Sequence, residues 1–203
     1  VALRADCRGT TLLLDCGTSG NGTDSWARDL EGIDAVWVSH AHLDHCGALP
    51  DLVAGRPRLP YYCTAGTDRL AEISLQSHPA CDAADAEDFR AGFRVVPRRS
   101  TFEVSGGREG PALRARAYRA GHLLGASMLL VETDEPDPSR MLYTGDFCCH
   151  DQPLVPGALL PKPSESFTVD TLVMEGILAT DEAADTVDYR DEIAEFVEWV
   201  ADA

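Results

Sequence analysis

His40-Ala41-His42-Leu43-Asp44-His45 places four side chains able to bind metal within six residues, at the end of an apolar run, Ile33 to Ser39, that reads as a buried strand. On extended backbone, residues two apart face the same side, so His40 and His42 can converge on one ion. A turn after them offers Asp44 and His45 to a second. Catalytic zinc commonly takes three protein ligands and keeps one position for water. His122 can complete the first set, because Gly121 and Gly125 permit a tight loop around it. Asp146 ends the run Met141-Leu142-Tyr143-Thr144-Gly145 and is placed to bridge both ions. Two divalent ions about 3.5 to 4 Å apart can share a hydroxide and clamp phosphoryl oxygens during in-line attack. Two Zn²⁺ are therefore the expected cofactors, and Mn²⁺ or Fe²⁺ accept the same ligands. Asp15, just before Gly17, has two readings of equal standing: an acid that orients a ligand histidine, or a simple strand-end turn residue.

These residues need elements to hold them. Val1 to Ala5 and Thr11 to Leu14 read as strands, the latter stopping at Asp15, and a short helix is expected around Trp26 to Leu30. Cys46 to Ala54 reads as a helix and Leu59 to Cys63 as a strand; Thr64 can cap a helix running to about Ser77, which His78-Pro79 ends. Asp82 to Arg90 suits a short acidic helix. Strands return at Phe93 to Val96, Thr101 to Val104, Ala112 to Tyr118, Ser127 to Thr133, Met141 to Thr144 and Thr168 to Met174, with a polar turn region from Glu132 to Ser139. Tyr189 to Val200 carries Ile193, Phe196, Val197 and Val200 at helical spacing. Asp15, His40, His122, Asp146 and Glu175 all fall at strand ends, which an α/β fold gathers along one sheet edge.

The 203 residues suit one domain with a real core. No stretch approaches the roughly 20 apolar residues of a membrane span, so no membrane partner is expected. The seven cysteines lack Cys-x-x-Cys spacing and read as small packing residues, which suits a reducing cytoplasm. Seventeen basic against 34 acidic residues give a net charge of −17, arguing against an extended phosphate-gripping surface. A nucleic-acid substrate would then need metal ions or another domain to supply the attraction. His150 reads as a loop histidine, Cys148 and Cys149 as packing residues, and Asp181 to Asp185 as a solvated linker.

Asp15, the histidine cluster, Ala120-Gly121-His122-Leu123-Leu124-Gly125-Ala126 and Tyr143-Thr144-Gly145-Asp146-Phe147 together resemble the metallo-β-lactamase superfamily in order and spacing. His122 to Ser127 and Asp151-Gln152-Pro153-Leu154 resemble its β-CASP branch of RNA-processing nucleases. The resemblance implies an αββα sandwich, here partial, with the first family strand before Val1 and the cap and last ligand histidine beyond Ala203. It divides the chain into a metal-binding domain, 1–178, and a linker with the first helix of a cap, 179–203. His40, His42, Asp44, His45, His122 and Asp146 become the metal ligands, with Asp44 also orienting or deprotonating the nucleophile. Asp15 supports them, and Glu175 in Val173-Met174-Glu175-Gly176 matches the first β-CASP carboxylate, although Gly176-Ile177-Leu178-Ala179 departs from the family's usual continuation. The implied enzyme is a phosphodiesterase or ribonuclease using a zinc-activated hydroxide, with RNA favoured over DNA and self-association left open. Hydrolysis of a small ester, thioester or lactone is the rival activity. A catalytically silent scaffold subunit of an RNA-processing complex is the non-enzymatic alternative.

Overall fold

The computed structural model describes residues 1–18, 31–55, 59–76, 92–104, 112–134, 138–159 and 168–177. The helices expected at 26–30, 82–90 and 189–200, as well as His78 and Cys81, lie outside them. Strand β1 (Leu3–Cys7) pairs antiparallel with β2 (Thr10–Leu14) through Arg8 and Gly9, whose φ of 57° and 83° make the two-residue turn that follows the twist of paired strands. Strands β3 (Ala35–Trp37), β4 (Tyr61–Cys63) and β5 (Phe93–Val95) continue this sheet in parallel. A second five-stranded sheet contains β6 (Thr101–Val104), β7 (Leu113–Arg119), β8 (Ser127–Thr133), β9 (Ser139–Tyr143) and β10 (Thr171–Val173), in the order β10-β9-β8-β7-β6. Its pairings are antiparallel except β9 with β10.

Period-2 alternation explains how the layers assemble, since successive strand residues face opposite sides. Leu12, Leu14, Ala35 and Trp37 of the first sheet meet Leu113, Ala115, Ala117, Leu129 and Val131 of the second in one buried core. Leu13, Val36, Val38 and Tyr61 face the other way, onto Leu49 and Leu52. The outer face of the second sheet, Tyr118, Met128, Leu130 and Leu142, is packed by Leu123, Phe147 and Ala158. Burial on both faces is why β2 and β3 read as continuous apolar runs. Among the described residues no helix is long and apolar enough to cross a membrane.

The helix expected from Cys46 to Ala54 is instead two. Helix α1 (Leu43–Cys46) starts inside the histidine cluster, and α2 (Leu49–Gly55) follows a break. The cause is a diverted donor: Ala48 N–H bonds the Cys16 carbonyl rather than continuing the helical ladder. Pro50, which has no N–H to give, then suits the first turn of a new helix. Helix α3 (Ala65–Gln76) begins after Thr64 as expected, but the Thr64 hydroxyl donates to the Gly125 carbonyl, tying this helix start to the His122 loop. Gly125 has φ of 89°, and a Cβ there would lie 2.2 Å from Thr67 N, so only glycine allows the approach. Of the described cysteines, Cys16, Cys46 and Cys63 are buried, and none is in a disulfide. Burial, with Asp15 nearby, pushes the Cys46 thiol up to about 12, so it acts as a packing group.

Leu129 is 1% exposed between the sheets, whereas Leu154 is 90% exposed. Leu129→Ala is expected to destabilise the protein by about 2 to 5 kcal/mol through lost burial and a residual cavity. Leu154→Ala should stay within about 0.5 kcal/mol. Denaturant unfolding of both variants checks the layer assignment, which fails if the two losses are equal.

Candidate metal centre

Three separate stretches of chain deliver the site, the first of them through two consecutive elements. The extended chain leaving β3 carries His40 and His42; the first turn of α1 carries Asp44 and His45; the loop between β7 and β8 carries His122; the turn after β9 carries Asp146. His42 Nδ1 lies 3.1 Å from both His40 Nε2 and His122 Nε2. Tetrahedral zinc with Zn–N bonds of about 2.05 Å would space its nitrogens about 3.3 Å apart, so these three converge as ligands around one ion would. Asp146 Oδ2 stands 3.8 Å from His40 Nε2 and 3.7 Å from His122 Nε2, while its Oδ1 stands 3.2 Å from His45 Nε2. Asp44 Oδ2 lies 3.5 Å from the same His45 nitrogen. One carboxylate therefore turns one oxygen to a three-histidine cluster and the other to an Asp44–His45 pair. His40, His42, His122 and Asp146 bring ligand atoms within 4.8 Å of one another.

Asp15, His40 and His45 also gather within 4.8 Å, but the Asp15 carboxylate is already engaged by four donors. It is fully buried and has φ of 61°, a strained conformation for a residue with a side chain. Its Oδ1 accepts the Ser39 N–H at 2.7 Å. Its Oδ2 accepts the Ser39 hydroxyl at 2.7 Å, the Tyr143 hydroxyl at 2.5 Å and His45 Nδ1–H at 2.6 Å. Four donors on one carboxylate satisfy a buried charge and aim the far nitrogen of His45 at Asp146.

The site's electrostatics suit cation binding. Burial, reinforced by the neighbouring His45, holds His40 down at about 3, and burial with His122 lowers His42, so both present neutral imidazoles. Burial also disfavours a proton on His45, but hydrogen bonds to Asp146 and Asp15 outweigh it and raise this histidine to about 9. The His45 hydrogen bond draws Asp146 down to about 2 against the opposing effect of burial. A cation entering between Asp146 and His45 would have to displace that proton.

Further residues hold the ligand loops. The Gln152 side-chain amide donates to the carbonyls of Gly121 at 2.7 Å and His122 at 3.0 Å. Glu175 Oε1 accepts the Phe147 N–H at 2.8 Å, one residue past Asp146, so it grips the turn that carries Asp146. A Cβ on Gly17 would fall 1.5 Å from the Asp44 carbonyl oxygen, so glycine here lets the β2 end pass under α1. His150 Nε2 lies 3.2 Å from Cys148 Sγ, in line with a loop role. Sequence reasoning singled out neither Ser39 nor Tyr143. The available signal was a hydroxyl beside a ligand motif in each case, Ser39 directly before His40 and Tyr143 three residues before Asp146.

Residues 6–173 match the metallo-β-lactamase superfamily. An RNase J-like protein of Methanocaldococcus jannaschii is 32% identical over 81% of this chain and 36% of its own length. Transcription termination factor FttA of Methanothermobacter thermautotrophicus is 33% identical over 81% of this chain and 27% of its own. Cleavage and polyadenylation specificity factor 73 of Drosophila melanogaster is 29% identical over 81% of this chain and 25% of its own. The chain thus spans between 23 and 43% of the length of these and similar curated relatives. Among solved structures, the subclass B3 metallo-β-lactamase BJP-1 of Bradyrhizobium japonicum superposes with a TM-score of 0.51 at 15% identity, covering 84% of this chain and 69% of that one. With the paired sheets, the histidine cluster at their edge and a family match over most of the sequence, the chain belongs to the metallo-β-lactamase superfamily.

Proposed function

We propose that this chain is the metal-binding portion of a β-CASP-type phosphodiesterase that cleaves RNA, with residues 1–178 forming the metal domain and 179–203 leading into a cap. The observation that carries the reading is the two-sided Asp146, with His40 and His122 of the three-histidine cluster near one oxygen and His45, itself beside Asp44, near the other. Two Zn²⁺ fit this donor set, and Mn²⁺ or Fe²⁺ would accept it. When bound, such ions supply Lewis acidity towards phosphoryl oxygens and lower the pKa of a coordinated water. The residues do the rest. His40, His42, His122 and Asp146 hold one position; Asp44, His45 and Asp146 begin the other. Asp44, with its side chain 61% exposed, faces the solvent from which substrate arrives and would help orient the nucleophile or take its proton. Asp15 and Glu175 position the ligand segments. Cations at the centre also offset a net charge of −17 that would otherwise repel a polyanion. RNA is favoured as the polymer because relatives over most of this chain carry the names RNase J-like protein and cleavage and polyadenylation specificity factor. A cytoplasmic setting suits the free thiols.

The test is RNA cleavage by the full-length protein, stripped of metal and then restored with Zn²⁺ or Mn²⁺. Metal-dependent cleavage is expected. A metal-loaded protein that cleaves no RNA but hydrolyses small esters, thioesters or lactones overturns the substrate assignment, and one that does neither favours a scaffold. His42→Ala is expected to abolish metal-dependent hydrolysis while thermal unfolding stays cooperative. Unchanged turnover at equal metal loading would count against His42 as a ligand.

The metal-free protein should show a stability maximum near pH 6.5, the ordinary histidine value. Below it, the unfolded chain binds protons that folded His40 refuses until about pH 3, so stability falls with acid; His42 acts in the same direction. Above it, folded His45 keeps a proton that the unfolded chain has lost, so its contribution is present below 6.5 and disappears by about pH 9. Melting temperatures of chelated protein from pH 4 to 10 check this; a steady rise from pH 5 to 9 contradicts it.

A further inference from the structure

One hydroxyl stands between the buried acid and only one of the two metal positions. Ser39 Oγ lies 2.7 Å from Asp15 Oδ2 and 2.9 Å from His40 Nδ1. A serine hydroxyl has a single proton to give. The Asp15 carboxylate only accepts, and its oxygens already take Ser39 N–H, Tyr143 O–H and His45 Nδ1–H. The Ser39 proton therefore points at Asp15, and His40 Nδ1 must be the donor to Ser39 Oγ. That leaves the lone pair of His40 on Nε2, the atom 3.1 Å from His42 Nδ1. His45 reaches the same Asp15 oxygen directly, with no intermediary. Room for the hydroxyl comes from Gly145, where a Cβ would lie 2.7 Å from both Ser39 Cβ and Oγ.

We infer that Ser39 is a positioning residue that fixes His40 in its metal-binding tautomer and thereby sets the affinity of the three-histidine position alone, while His45 at the other position draws its orientation from Asp15 without it. The inference rests on reading these residues as a metal centre. Without the hydroxyl, buried His40 either keeps an unpaired Nδ1–H or moves its proton to Nε2 and blocks the ligand atom. Both outcomes weaken one position. Loss of a partner of this kind typically lowers metal affinity by roughly 10- to 100-fold.

The experiment has two arms on the full-length protein. In metal-free wild type labelled with ¹⁵N-histidine, long-range ¹H–¹⁵N spectra should show His40 as the Nδ1–H tautomer; an Nε2–H tautomer overturns the relay whether or not any variant folds. In the second arm, Zn²⁺ is titrated against a competing chelator. Ser39→Ala should weaken one of two binding steps by roughly 10- to 100-fold and leave the other unchanged. Tyr143→Phe removes a different donor from the same Asp15 oxygen and should not reproduce that selective loss. Equal weakening of both steps in Ser39→Ala, no weakening, or the same selective pattern in Tyr143→Phe each overturns the proposal. Wild-type protein that binds no Zn²⁺ would instead sink the metal-centre reading, and the tautomer measurement keeps the two failures apart.

Discussion

A single buried carboxylate organises this structure. Asp15 sits at the end of β2 with no exposure to solvent, in a backbone conformation that costs energy, and takes hydrogen bonds from Ser39, His45 and Tyr143. Isolated burial of that charge would be prohibitive, so the four donors are a condition of the fold as much as a feature of the site. They come from the chain beyond β3, the first turn of α1 and the end of β9, so satisfying one acid brings both sheets and the histidine cluster into register. The strain at Asp15 persists because everything around it over-determines its position.

From that anchor the site divides into a buried part and an exposed rim. His40 and His45 are almost fully buried and are held through Asp15, whereas His42 and Asp44 sit at the exposed rim. His122 and Asp146 arrive on loops that would be loose without help. Gln152 clasps the first through two carbonyls, and Glu175 clasps the second through the Phe147 amide. Metal centres need ligand geometry held to a fraction of an ångström, and backbone grips of this kind supply it where strands cannot.

Much of the arrangement was legible in the residues themselves. The six-residue cluster, the apolar runs before it and the acid after Gly145 pointed to a metal site at sheet edges, and the strands fell close to where alternation placed them. The break between α1 and α2 did not show, because it depends on Ala48 N–H finding the carbonyl of Cys16, a partner distant in sequence. Thr64 precedes α3 as its type suggests, yet its hydroxyl serves Gly125 across a separation of 61 residues. The roles of Ser39, Tyr143 and Gln152 stayed hidden for a related reason, although the last two lie in motifs that the sequence displays: their meaning here comes from partners rather than spacing.

The sequence alone determined which chemistry was available, because histidines and aspartates are the side chains that bind hard and borderline cations, and local spacing on a strand or turn already constrains where they face. Tertiary structure decided which of their atoms are turned towards one another. Which nitrogen a histidine leaves available depends on the partner of the other one, and such partners come from far along the chain: 30 residues separate His45 from Asp15, and 128 separate Tyr143 from the same carboxylate. Such contacts exist only once the two sheets have packed, since a proton settles on one nitrogen or the other according to its neighbours in space and not in the chain.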